Sequence, residues 1–394
     1  MTDHCSVSTL NFHFARNYGA LIQALALSEI LKNNGISVSI IDYRPEGHES
    51  LYSVKPNPFA SLTWAWQGAA TATGSPSRMI AATTRRMAGL GRAYIRIRER
   101  RAIDRAFEEC VQSWFSLSTR YRSIEQLRKD PPQADAYVVG SDQVWNPLVT
   151  GGFDPAYFLD FGNDTAQRIA YAISPYHLNL PRNAQKIAAL GHRLNYVSLR
   201  EPDYIDTLSI VLKQKIDCCL DPVLMMSADD FEPFEEKKGP PNRRYILVYL
   251  LHTSAQQSDT VSRKITYYQN QFGCGVIDIS PDHIVRHPNI ISMNGASPAV
   301  MLKLVRNALF VLTNSFHGTA LSVVYRRPFA VLQRETTFSR MTNLLTQLSL
   351  TSRVVPNSPD CLLPESSIDW TTTESNLSGL QKASRLFLTS SLHI

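Results

Sequence analysis

The sequence predicts an α/β protein built from two Rossmann-like, doubly wound domains facing across a cleft. Two observations predict the class and a third predicts the division. Short apolar runs recur along the chain, among them Ile36–Ile41, Ala136–Val139, Tyr245–Leu251 and Phe329–Leu332. Runs of that length, rich in β-branched and aromatic residues, mark strands buried on both faces. Stretches of helical length, such as Ala20–Lys32 and Ala255–Phe272, alternate with them, as βαβ units require. The polar, proline-bearing stretch Ser227–Arg244 then divides 394 residues into two lengths that each suit one domain. The expected boundaries are 1–228 and 229–394.

Each element has a local reason. Cys5–Leu10 opens as a strand expected to run on to Phe14, and Arg16-Asn17-Tyr18-Gly19 turns the chain into the apolar helix Ala20–Lys32. Asn33-Asn34-Gly35 stops that helix, and Ile36–Ile41 completes a first βαβ unit. Its turn lacks GxGxxG, so a dinucleotide site is not supported. Residues 46–130 read as an insertion: a long irregular stretch to about Gly74, then an arginine-rich segment whose Ile103, Phe107, Val111 and Trp114 recur at helical spacing. Strands are expected at Ala136–Val139, Tyr157–Phe161, Arg168–Ile173, Tyr196–Leu199 and Leu220–Val223. In the second half, Ser297-Pro298 is an N-cap followed by proline at the first helical position. A tail helix near Leu377–Phe387 is expected to return to the first domain.

Composition narrows the function. Six cysteines show no CxxC pair and no metal-ligand spacing, as befits buried thiols in a reducing compartment. With no apolar run long enough for a span and no leader pattern, the expectation is a cytoplasmic protein. Net charge is +6, yet Arg78–Arg105 alone holds nine arginines against Glu99 and Asp104, an excess of +7. That segment reads either as a solvated helix face or as a contact for an anionic membrane surface, a lipid-linked diphosphate or an acidic glycan. Nucleic acid is disfavoured because no recognition motif accompanies the charge.

The chemistry concentrates at strand ends. Leu309–Leu312 is a buried strand, Thr313-Asn314-Ser315 breaks it, and a packed helix follows from Thr319. His317 therefore stands where a strand ends and a helix begins, the usual place for a ligand in an open α/β sheet. A helix start suits a phosphate or carboxylate, and an imidazole adds a proton or a charge. Asp142 follows the strand Ala136–Val139, either as a general base or as a turn former. Arg200 follows Tyr196–Leu199, either to hold an anion or to pair with Glu201 or Asp203.

Five segments, Asn17–Ala24, Gly140–Asn146, Ser198–Glu201, Leu220–Val223 and Thr313–Gly318, occur in the order that resembles polysaccharide pyruvyl transferases. The resemblance spans about residues 9–350, and no motif in 46–130 matches. It implies a GT-B-like domain pair, phosphoenolpyruvate as donor and no cofactor. The acceptor would be a sugar of a bacterial exopolysaccharide, capsule or cell-wall glycan, free or lipid-linked, taken up by the first domain, with the donor in the second. It further implies that His317 and Arg200 hold the donor, that Ser315 and Gly318 give donors at the helix start, and that Asp142 is the base, with Asn17 and Gln143 as polar contacts. The alternatives are a GT-B glycosyltransferase using a nucleotide sugar, and a non-catalytic glycan- or membrane-associated partner; the expected location of the chain is the cytoplasm or, through the arginine-rich segment, the periphery of the inner membrane face.

Overall fold

The computed structural model describes residues 5–52, 57–95, 97–237, 244–251, 255–281, 287–288, 290–333, 339–356 and 367–393, apart from the side chains of 51, 91–95, 97–100 and 255–257. The chain forms two compact units, Met1–Met225 with Gln381–Ile394, and Met226–Leu380.

In the first unit the elements are β1 (Ser6–Leu10), α1 (Tyr18–Asn33), β2 (Ser37–Tyr43), α2 (Glu46–Tyr52), α3 (Pro58–Thr73), α4 (Pro76–Ile95), α5 (Ile97–Trp114), β3 (Leu117–Tyr121), α6 (Ile124–Lys129), β4 (Ala136–Asp142), α7 (Pro147–Thr150), β5 (Gln167–Ile173), α8 (Leu180–Gly191), β6 (Tyr196–Leu199), α9 (Ile205–Leu212) and β7 (Ile216–Cys218). The seven strands pair in the order β3-β2-β1-β4-β5-β6-β7, every pair parallel. Strand order reverses between β1 and β4, which opens a crevice at their carboxyl ends.

The second unit holds α10 (Ala228–Phe231), β8 (Tyr245–Tyr249), α11 (Ala255–Phe272), β9 (Gly275–Asp278), β10 (Ile290–Ser292), α12 (Pro298–Asn307), β11 (Phe310–Thr313), α13 (Phe316–Val324), β12 (Phe329–Leu332), α14 (Ser339–Gln347), β13 (Val354–Val355) and α15 (Trp370–Leu392). Its sheet runs β10-β9-β8-β11-β12-β13, again all parallel. The first six strands of one sheet and the six of the other thus share one winding, although the sequence shows no internal repeat. The switch point here lies between β8 and β11. Helix α15 starts in the second unit and finishes in the first.

Several local expectations need correction. Strand β1 stops at Leu10, and the chain turns through Phe12, His13 and Phe14, with Phe12 packed on His48 and Tyr157 and Phe14 on His48. Glu46–Tyr52 and Pro58–Thr73 are helical rather than irregular; Pro58 sits at the start of α3 behind the Asn57 cap, where a proline lacks nothing, and residues 53–56 lie outside the described residues. Leu117–Tyr121 is a sheet strand inside the presumed insertion; as the edge strand it is mostly polar and half-exposed, so it shows no apolar run. Tyr157–Phe161 is not a strand: Pro155 and the Asp154 cap start a short 3-10 turn, and Phe158 stacks on Trp145 at 4.9 Å. Leu220–Val223 likewise runs into a 3-10 turn over Pro222–Met225. The expected linker begins with α10, fixed by a reciprocal cap between Ser227 and Asp230, and Glu235 after it takes Lys303 and Arg306 of α12. Residues 238–243 of that stretch lie outside the described residues.

Candidate functional site

In the first unit the strand ends are tied by one buried polar network. Arg200, 6% exposed, follows β6 and bonds Glu201 at 3.0 Å and Asp221 at 2.8 Å. The same Asp221 oxygen accepts from Ser141 Oγ at 2.7 Å, and its other oxygen accepts from the Val223 N–H at 3.0 Å. Glu201 in turn accepts from Ser174 Oγ, just after β5. Three of the sequence segments singled out above, around Ser141, Arg200 and Asp221, thus meet in one hydrogen-bonded frame. Burial lowers the pKa of Arg200, but Glu201, Asp221 and Asp142 together outweigh it and raise the pKa above that of a free guanidinium. The pairing places Arg200 within the frame. Of the two alternatives weighed from sequence, the Glu201 pair is present, joined by Asp221.

Asp142 ends β4 at the switch point, and its backbone is in the left-handed region at φ 63°. Asp tolerates that conformation better than most residues, yet it remains a strained one. Its carbonyl accepts from Ser174 N at 2.9 Å, which fixes the turn. Its carboxylate is half-exposed, with no hydrogen-bond partner among the described residues. It reaches its neighbours by charge: it acts on Arg200, and, with burial as the larger cause, it raises Tyr52 to about 12.

Asn17 and Gln143 take local roles. Asn17 caps α1, its Oδ1 accepting from the N–H groups of Gly19 at 2.9 Å and Ala20 at 3.4 Å. Gln143 Oε1 accepts from Asn146 Nδ2 at 2.7 Å within the turn after β4. Sequence reasoning misses the frame partners Ser141, Ser174 and Asp221, and also His13. His13 is buried and shares 2.9 Å with Asp42, whose second oxygen takes Arg120. Burial pushes the Asp42 carboxyl up, but His13 and Arg44 more than reverse this and hold it below the usual carboxylate range. The signal available in sequence was a polar residue shortly after β1 and another next to the end of β2.

In the second unit β11 ends at Thr313 and α13 starts at Phe316. Thr313 Oγ1 donates to the Tyr249 carbonyl at 2.7 Å and receives the Ser315 N–H at 3.0 Å. Asn314 clasps Leu251 through both its N–H and its carbonyl. Ser315 caps the helix by accepting the Gly318 N–H at 3.4 Å. The Gly318 donor expected to face a ligand is therefore taken by the cap. Gly318 is needed for closeness: an added Cβ would stand 2.4 Å from Thr313 Oγ1 and 3.0 Å from the Tyr249 ring. His317 follows the cap, 6% exposed, its ring 5.3 Å from that of Phe316. Asn17, Asp142, Gln143 and Arg200 thus belong to the first unit, and Ser315, His317 and Gly318 to the second.

Of the arginine-rich segment, Arg78, Arg85, Arg101 and Arg105 are exposed, while Arg86 donates to the Ser50 carbonyl and Ser61 Oγ. The side chains of Arg92, Arg96, Arg98 and Arg100 lie outside the described residues. No helix among the described residues is long and apolar enough to cross a membrane.

A comparison with curated proteins gives no match. Among solved structures, Staphylococcus aureus MnaA with UDP is similar at 9% identity and TM-score 0.47, over 98% of this chain and 90% of that one. UDP-GlcNAc 2-epimerase from Neisseria meningitidis, bound to UDP-GlcNAc, is similar at 12% identity and TM-score 0.45, over 99% and 100%. The glycosyltransferase SnogD from Streptomyces nogalater is similar at 12% identity and TM-score 0.45, over 97% and 96%. The sequence pattern defining polysaccharide pyruvyl transferases matches residues 17–335, most of the chain and all but one of the strand-end residues described above, His13 being the exception. With that match, the chain belongs to the polysaccharide pyruvyl transferase family, a family of enzymes.

Proposed function

We propose that the protein moves pyruvate from phosphoenolpyruvate onto two hydroxyls of a sugar, as a ketal, in the synthesis of a bacterial envelope glycan. The family match over residues 17–335 carries this reading. Protonation of the enol methylene makes the adjacent carbon electrophilic. One sugar hydroxyl adds there, a second displaces phosphate, and both hydroxyl protons must be accepted. Asp142 suits the base: a carboxylate at a switch point, in a strained backbone, held by a rigid frame and with no hydrogen-bond partner among the described residues. His317, at the start of α13, acts on the donor, as its anion partner or as the acid for the methylene. Arg200 acts through the frame, fixing the loop that carries Asp142 and adding positive charge beside it. No metal or organic cofactor is needed for this sequence of steps.

The test is release of inorganic phosphate from phosphoenolpyruvate that depends on a sugar acceptor. His317→Ala should abolish it with the thermal unfolding midpoint unchanged within a few degrees. A fully active His317→Ala variant sinks the assignment. Protection against heat by a nucleoside diphosphate sugar, but not by phosphoenolpyruvate, points instead to glycosyl transfer.

A further inference from the structure

The first unit contains a cavity of about 870 Å³ that none of the strand-end residues proposed for catalysis lines. The volume falls within the roughly 300–1,000 Å³ usual for small-molecule sites. Its floor is the carboxyl ends of β1 and β2, through His13, Arg16 and Arg44. Its wall and roof are α2 and α5, part of the long crossover between β2 and β3 where no family motif was found. The cavity thus lies between the ends of β1 and β2 and that crossover.

The lining chemistry selects a class of ligand. Four arginines and four acidic residues face the space, so the described lining is formally neutral. Several are already matched: Arg16 pairs with Asp104, and Arg44 with Asp42 and Glu108. A diphosphate needs uncompensated cations and would meet four carboxylates here. A polyhydroxyl compound fits, because each hydroxyl both donates to a carboxylate and accepts from a guanidinium. Phe14 and Tyr52, both partly exposed, offer ring faces for the C–H side of a pyranose. His13 stands behind this lining, fully buried and held by Asp42 at Nε2, and so fixes the inner wall of the cavity.

We propose that this cavity is a binding site for an uncharged saccharide portion of the acceptor, and that α2 and α5 set which saccharide is taken. This rests on reading the chain as a sugar-modifying transferase. It also assigns the arginines around Arg101 and Arg105 to sugar contacts rather than to a lipid phosphate.

The experiment is saturation-transfer NMR on the full chain with a panel of neutral gluco- and galacto-configured di- and trisaccharides. Inorganic pyrophosphate serves as the anionic probe. At least one neutral saccharide should receive saturation, and Gln112→Ala and Glu109→Gln, both at exposed lining positions, should weaken it about tenfold. Pyrophosphate should not displace it. Silence across the panel, binding indifferent to both substitutions, or displacement by pyrophosphate overturns the proposal. The two readings fail separately. Saccharide binding without phosphate release from phosphoenolpyruvate removes the catalytic reading alone. Acceptor-dependent phosphate release whose acceptor KM ignores both substitutions removes the cavity alone.

Discussion

Asp142 and Arg200 lie in one electrostatic neighbourhood yet answer differently to substitution. Asp142→Asn keeps the shape and the left-handed backbone, which Asn adopts readily, and removes only the proton acceptor. Phosphate release should fall by roughly 10²–10⁴-fold with an unchanged unfolding midpoint, whereas a variant within twofold of the parent would exclude Asp142 as base. Arg200→Ala strips the cation from two buried carboxylates, Glu201 and Asp221. It should cost about 3–5 kcal/mol of stability in chemical denaturation, before any question of turnover arises. Sequence locates both residues, because each follows an apolar run and strand ends are where ligands gather in such sheets. It does not separate the half-exposed carboxylate from the buried guanidinium. That difference is made by Asp221 and by Ser141 of β4, which meet Arg200 only in three dimensions.

At the scale of the element, the sequence shows the central strands and hides what surrounds them. Buried parallel strands are apolar throughout and stand out, as with β8 and β11. Edge strand β3 is polar and half-exposed, and α3 hides behind a proline, Pro58, that in fact begins it. Helices α2 and α3 are anchored to the first sheet by an aromatic cluster in which His48 stacks on Trp64 at 5.7 Å and meets Phe12 edge-on at 4.8 Å. Burial drives the His48 pKa from 6.5 down to about 3, so the folded chain refuses a proton that the unfolded chain binds. Stability from this residue is complete above pH 6.5 and is lost as pH falls toward 3, amounting to about 2 kcal/mol at pH 5. His48→Phe should keep the ring packing and flatten the decline of the unfolding midpoint between pH 7 and pH 5. Buried His13, whose pKa is also lowered by burial, leaves a residual slope of the same sign. An undiminished slope in His48→Phe would remove His48 as the cause.

Over the whole molecule, two sheets with one winding order place Asp142 after the switch strand of the first and His317 after that of the second. The alternation of apolar runs and helical stretches makes that winding legible, and the tail helix expected near Leu377–Phe387 is α15, whose end belongs to the first unit. There Ser384 Oγ accepts the Leu220 N–H at 2.9 Å, Gln381 donates to the Leu224 carbonyl at 2.7 Å, and Phe387, Leu388 and Leu392 are buried. Removing residues 381–394 should destabilise the first unit by about 5 kcal/mol, at roughly 1.5–3 kcal/mol for each large apolar side chain exposed. Tryptophan fluorescence reads this directly, since Trp64, Trp66, Trp114 and Trp145 all lie in that unit. An unshifted denaturation midpoint would show that the returning helix adds nothing.

That returning helix also sets an order of events during synthesis. The ribosome makes the second half of α15 only after the entire second unit, so the first unit waits, on the order of ten seconds or more at about 5–20 residues per second, without its last piece. During that interval the apolar seat around Tyr171 and Leu220 stands uncovered, a natural target for a chaperone bound to the nascent chain.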